Sequence, residues 1–122
     1  MTTIAARLAR RLVLLTGDQA LGERLAQALP ERWQVSRVQH IGELGEFQDV
    51  LLHRFVLLDL DAPGAIEAIA QIRGEMMLNI PIFCIGGDAA ARDTARLARA
   101  DRFFGREEIA ALLPKLCEQF AW

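Results

Sequence analysis

The chain has 122 residues, 52% of them hydrophobic and 25% charged, which is enough apolar material for one buried core without staples. Its formal net charge is −2, with 14 Lys and Arg against 16 Asp and Glu, so it lacks the clustered basic excess that direct nucleic-acid binding requires. No apolar run approaches the ~20 residues of a membrane span, and the expectation is one cytoplasmic domain over residues 1–122 that does not engage a membrane.

Arg7, Arg10 and Arg11 make a basic start that runs straight into Leu12-Val13-Leu14-Leu15 with no cleavage signal, so they read as part of the domain and not as a targeting peptide. Leu12 to Leu15 is the first predicted strand, closed by the turn-forming Thr16-Gly17-Asp18. Leu21, Leu25, Ala28 and Leu29 share one helical face, and Pro30 ends that helix. The alternating segment Trp33 to Val38 predicts a second strand. Ile41, Leu44, Phe47 and Leu51 mark a second helix, short or irregular because Gly42 and Gly45 each weaken it by about 1 kcal/mol relative to Ala.

Phe55 to Leu58 is a continuous apolar run ending in Asp59, as expected of a central parallel strand covered on both faces. Pro63 is placed at the start of a third helix with Ile66, Ile69, Ala70 and Ile72 as its buried stripe and Gly74 just past its end. Ile80 to Ile85 is the fourth strand, with Pro81 at its start because proline cannot donate to the ladder. Gly86-Gly87-Asp88 turns into an Ala- and Arg-rich helix through about Ala98, with Asp88 as cap. Phe103-Phe104 is a short fifth strand, and Ile109, Leu112, Leu113, Leu116 and Phe120 mark a final amphipathic helix.

Five βα units with short connections predict a three-layer αβα sandwich around a five-stranded parallel sheet in the flavodoxin-like order 2-1-3-4-5. Sites in such sheets collect at the carboxyl ends of the strands, which places Thr16, Gly17, Asp18, Asp59, Asp61, Gly86 and Arg106 around one crevice. Cys84 and Cys117 lack the close spacing of a redox pair or zinc site and read as core thiols. His40 and His53 stand alone in the sequence and receive no chemical role. Gly86-Gly87 lacks the spacing and Lys of a phosphate loop, and Thr16-Gly17-Asp18 falls short of a dinucleotide fingerprint. Arg92, Arg96 and Arg99 recur at helical spacing, as either a contact stripe or a solvated face.

Over essentially its whole length the chain resembles response-regulator (CheY-like) receiver domains of bacterial two-component and phosphorelay signalling. The resemblance rests on Val56-Leu57-Leu58-Asp59-Leu60-Asp61-Ala62-Pro63-Gly64, on Asp18-Gln19-Ala20-Leu21 with Leu25, on Ile80-Pro81-Ile82, and on Ala100-Asp101. It implies that Asp59 holds the phosphoacceptor position, where a carboxylate attacks a phosphoryl group. It also exposes departures. Thr16 and Gly17 stand where the family has an acidic pair that helps hold magnesium, with Asp18 one step further on. Gly86 replaces a Thr or Ser hydroxyl. Arg106 replaces a Lys, keeping the charge but offering a planar fork that can hold Asp59 in a standing ion pair. Glu107 replaces a Pro, Arg99 a Gly, and the loop after Asp59 is about two residues shorter than the family pattern. Phe103 matches an aromatic position whose rotamer reports phosphorylation in the family.

The expectation is a degenerate receiver acting without phosphorylation or catalytic turnover. It would hold no cofactor and would bind another signalling protein (a kinase, regulator or output protein) or a second copy through helix four, strand five and helix five. The alternative is a single-domain response regulator that accepts phosphate on Asp59 with magnesium. A third reading is a nucleotide- or flavin-binding protein on a flavodoxin-like scaffold.

Overall fold

The computed structural model describes residues 9–122; the Arg7 part of the basic start lies outside them. The apolar runs become five strands: β1 (Arg10–Leu15), β2 (Trp33–Val38), β3 (Phe55–Asp59), β4 (Ile82–Ile85) and β5 (Arg102–Phe104). All neighbours pair parallel in the order β2-β1-β3-β4-β5, with Leu12 opposite Phe55 and Leu58 opposite Cys84, which is the predicted flavodoxin-like sheet. The connecting helices are α1 (Gln19–Ala28), α2 (Phe47–Leu51), α3 (Ala65–Ala70), α4 (Ala89–Leu97) and α5 (Ile109–Gln119).

Alternation along the central strands splits the core into two layers. Leu12, Leu14, Phe55, Leu57, Phe83 and Ile85 face α1 and α5, meeting Leu21, Leu25, Ile109, Leu113 and Leu116. Val13, Leu15, Val56, Leu58, Ile82 and Cys84 face the other way, onto Val50, Ala65, Ile69, Ile72 and Ala95 of the remaining helices and turns. Phe55 anchors the first layer, its ring centroid 5.8 Å from Trp33, 5.5 Å from Phe83 and 5.3 Å from Phe120. Both thiols are buried in these layers, which pushes each up to about 12 and leaves them inert packing groups.

Three expectations need correction. The second helix divides into a single 3₁₀ turn at Ile41–Leu44 and the short α2, because Gly45 between them takes φ 114°, outside any helix. Phe47 and Leu51 therefore face solvent, 47% and 53% exposed, and Val50 is the buried residue of α2. Pro63 does not open α3; the helix begins at Ala65, and Ala70 is exposed while Ala65 and Ala68 are buried. Gly74 does not end the segment either, since the chain continues through it in a widened π turn, Gln71–Glu75. The fourth strand starts at Ile82, one residue after Pro81, whose carbonyl accepts from Val56 N.

Three buried polar side chains tie loops to this framework. Arg73 donates to the Leu78 and Ile80 carbonyls at 2.8 Å each, to the Arg99 carbonyl at 3.1 Å and to Asp101 at 2.9 Å. Arg99, at the family's glycine position, takes φ 77° and donates back to the Arg73 carbonyl. Arg54 donates to the Phe120 and Trp122 carbonyls and lies 4.2 Å from the Trp122 ring. His53 links β2 to α2, with Nε2 2.8 Å from Ser36 Oγ and Nδ1 3.0 Å from the Asp49 carbonyl; burial pushes its pKa below the ordinary imidazole value.

Candidate functional site

The parallel sheet delivers the ends of β1, β3, β4 and β5 to one edge of the molecule. Asp59, the last residue of β3, is fully enclosed by the strands beside it; its side chain is only 3% exposed. A carboxylate so placed requires a full set of donors, since an isolated buried charge is prohibitively costly. Thr16, just past β1, donates its hydroxyl to Asp59 Oδ2 at 2.7 Å. The Asp61 backbone amide donates to Oδ1 at 3.0 Å. Arg106, just past β5, closes a fork on both oxygens: Nη1 to Oδ1 at 2.6 Å and Nη2 to Oδ2 at 3.0 Å. Each carboxylate oxygen thus accepts two hydrogen bonds, which fills the ~4 acceptor positions a carboxylate offers.

Arg106 is shared further. Its Nη2 donates to Asp18 Oδ2 at 2.6 Å and its Nη1 to Asp61 Oδ2 at 3.2 Å, so one guanidinium lies among three carboxylates. Asp18 is doubly used: its other oxygen caps α1 by accepting from Leu21 N at 3.1 Å. The Arg106 hydrogen bond, reinforced by the Leu21 amide, holds the Asp18 carboxyl below the usual carboxylate range. In return the Asp59 and Asp18 bonds push the Arg106 guanidinium still further above its ordinary value. Thr16 also accepts from Asp18 N at 3.0 Å, and Arg24 of α1 donates to the Arg106 carbonyl at 3.0 Å, fixing the loop that carries the guanidinium.

Gly86 belongs to the same arrangement. It has φ 70°, and a Cβ built there would lie 2.6 Å from Asp61 Oδ2. No Ser or Thr can stand at that position without moving Asp61 off Arg106. Arg92 of α4 donates to the Gly86 carbonyl at 3.0 Å and so braces the turn.

No protein-family model matches the sequence, and no curated protein matches it. Solved structures do. A cyanobacterial phytochrome response regulator, RcpA, crystallised in its phosphorylated state, superposes with a TM-score of 0.73 at 16% identity, over 90% of this chain and 92% of that one. The signal receiver domain of a Bermanella marisrubri response regulator gives 0.71 at 21% identity, over 93% and 98%. The receiver domain of the TMAO respiratory regulator TorR gives 0.71 at 18%, over 91% and 98%. The chain has the receiver fold.

Within the receiver fold, the structure brings Thr16, Asp18, Asp59, Asp61, Gly86 and Arg106 together and leaves two predicted positions apart. Gly17 borders the cluster, with open space where a side chain would begin, and contributes no polar group. Phe103 is half-buried on the β5 edge beneath Arg96, whose guanidinium lies 4.9 Å from the ring centre. The three arginines of α4 and its end do not form one stripe: Arg92 bonds Gly86, Arg96 pairs with Asp93, and Arg99 bonds Arg73. The sequence reading gave no part to Arg24, whose partner is a backbone carbonyl.

Magnesium, which receiver domains use, does not fit the donor set. A hard cation needs free carboxylate lone pairs. Here the Asp59 pairs are occupied and Asp18 and Asp61 are turned to Arg106. Among the described residues no group of three or more His, Cys, Asp or Glu is arranged to hold a metal ion. No described helix is long and apolar enough to cross a membrane.

Proposed function

We propose that this chain is a phosphorylation-independent receiver-like module that signals by binding another signalling protein and turns over no substrate. The observation that carries the reading is the saturated Asp59 carboxylate. Attack on a phosphoryl group needs an oxygen lone pair directed at phosphorus and a cation drawing charge off the transferring group. Thr16, the Asp61 amide and the two arms of Arg106 take those lone pairs, and Arg106 supplies its charge as a fixed, always protonated fork. Gly86 removes the hydroxyl that would follow a phosphoryl oxygen. RcpA, of the same fold, is a phosphorylated protein; the present arrangement preserves the scaffold while the Asp59 charge is matched by the Arg106 guanidinium.

The partner surface in this reading is α4, β5 and the start of α5. Leu97 on it is 87% exposed, and an open cleft of about 560 Å3 lies between Arg92, Phe103, Arg106 and Glu108. A partner there would read the position of the Arg106 loop directly.

Incubation with acetyl phosphate and magnesium, followed by intact mass measurement, is expected to give no phosphoryl adduct. An adduct lost on Asp59→Asn substitution would establish the competing reading, a response regulator phosphorylated on Asp59.

A further inference from the structure

A second polar cleft, of about 310 Å3, opens beside the Asp59 cluster at the carboxyl ends of β1 and β2, with Gln19, Arg37, Gln39 and Glu43 in its walls. Arg37 is exposed, and among the described residues its guanidinium has neither an ion-pair nor a hydrogen-bond partner. The side chain nevertheless packs on the helix below it. The guanidinium rests on the backbone of α1 at Gly22, so closely that a Cβ there would overlap Cζ, Nε and Nη1. Gly22 is buried in the interior of α1, where glycine is the least favourable residue after proline. The seat for Arg37 accounts for it. Glu43 is the carboxylate of the cleft wall, and its Oε2 is already engaged by the Gln39 and His40 backbone amides at 2.6 and 2.8 Å. Its charge is therefore directed at backbone and leaves Arg37 unneutralised.

Through Thr16, Gly17 and Gln39 this cleft runs into another of about 160 Å3, walled by the apolar Leu15, Ala62 and Pro63. That part lies between the ends of β1 and β3, where the strand order reverses, the place at which open parallel sheets collect ligands. A seated, unpaired fork at one end and an apolar slot at the other define a complementary shape.

We propose that the joined clefts bind a small organic anion, its carboxylate or phosphate gripped by Arg37 and the Gln39 side-chain carboxamide, its compact apolar body against Leu15, Ala62 and Pro63. Arginine's planar fork matches both headgroups in bidentate geometry. The site is independent of whether Asp59 accepts phosphate, although Thr16 borders both and carries any displacement from one to the other.

The test is a ¹⁵N–¹H titration of the full chain with adenosine 5′-monophosphate and, separately, benzoate. Saturable shifts at the Gly17, Gln39 and Ala62 amides are expected with at least one probe, and which probe acts separates phosphate esters from carboxylates. Arg37→Gln and Gly22→Ala should each weaken binding roughly tenfold or more, the loss of a charge-assisted bond. Gly22→Ala is the sharper variant, because alanine suits a helix better than glycine and acts only by unseating Arg37. Absence of saturable shifts with both probes, or affinity undiminished in both variants, would overturn the proposal.

Discussion

Replacing Arg106 with methionine is expected to destabilise the chain by about 3–5 kcal/mol in urea unfolding, the cost of stripping a buried charge of its counter-ion. Asp59 cannot turn to water for compensation, since its side chain is only 3% exposed and is walled in by β1, β3 and β4. Thr16 and the Asp61 amide would remain as donors, yet the two Arg106 bonds at 2.6 and 3.0 Å, and with them the counter-charge to Asp59, would be gone. Adding Asp59→Asn to Arg106→Met should recover most of the loss, because the second change removes the orphaned charge. Arg106→Lys should fall between: it keeps the charge and gives up the fork that spans Asp59, Asp18 and Asp61. A single Arg106→Met variant within 1 kcal/mol of the parent would mean that Asp59 does not depend on this partner.

The second large effect lies at the opposite, amino-terminal end of the strands, before β4 and β5. Arg73→Met is expected to cost about 3 kcal/mol, since the buried Leu78 and Ile80 carbonyls each lose a donor at ~1–3 kcal/mol per unsatisfied group. Asp101 would lose its ion pair while still accepting from Ile82 N at 2.8 Å, so the start of β4 should persist. Arg96→Met is the control. Its pair with Asp93 is largely exposed on both sides, and the loss of that pair together with the contact over Phe103 should move stability by less than about 1 kcal/mol. Equal losses in the two variants, measured by urea unfolding, would contradict the distinction between an arginine that satisfies buried carbonyls and one that decorates a helix.

These two arginines also mark where sequence reading reaches and where it stops. The strands were legible because a central parallel strand is apolar on both faces, as Leu12 to Leu15 and Phe55 to Leu58 are. The α1 and α5 stripes were legible because each packs one face on the sheet. The α2 region was misread because apolar Phe47 and Leu51 mimic a buried stripe that Gly45 breaks. At the site, Asp59 and Arg106 could be placed from their strand ends, and the standing pair between them was implied by the resemblance to receiver domains, in which a Lys holds the Arg106 position. That Asp18 would join it while also capping α1 was not legible, because the side chain's aim depends on the tight Thr16–Asp18 turn. Arg24, Arg54 and Arg73 were invisible for a common reason: they bond backbone carbonyls, and a carbonyl acceptor leaves no mark on residue type.

The saturated carboxylate is tested most directly by a crystal structure of the chain soaked in concentrated magnesium with a beryllofluoride phosphoryl mimic. The account predicts Arg106 still forked across both Asp59 oxygens, with Thr16 and the Asp61 amide in place and no ion against the carboxylate. An octahedral cation bound to Asp59, with Arg106 swung away and beryllofluoride on the oxygen it vacated, would contradict it.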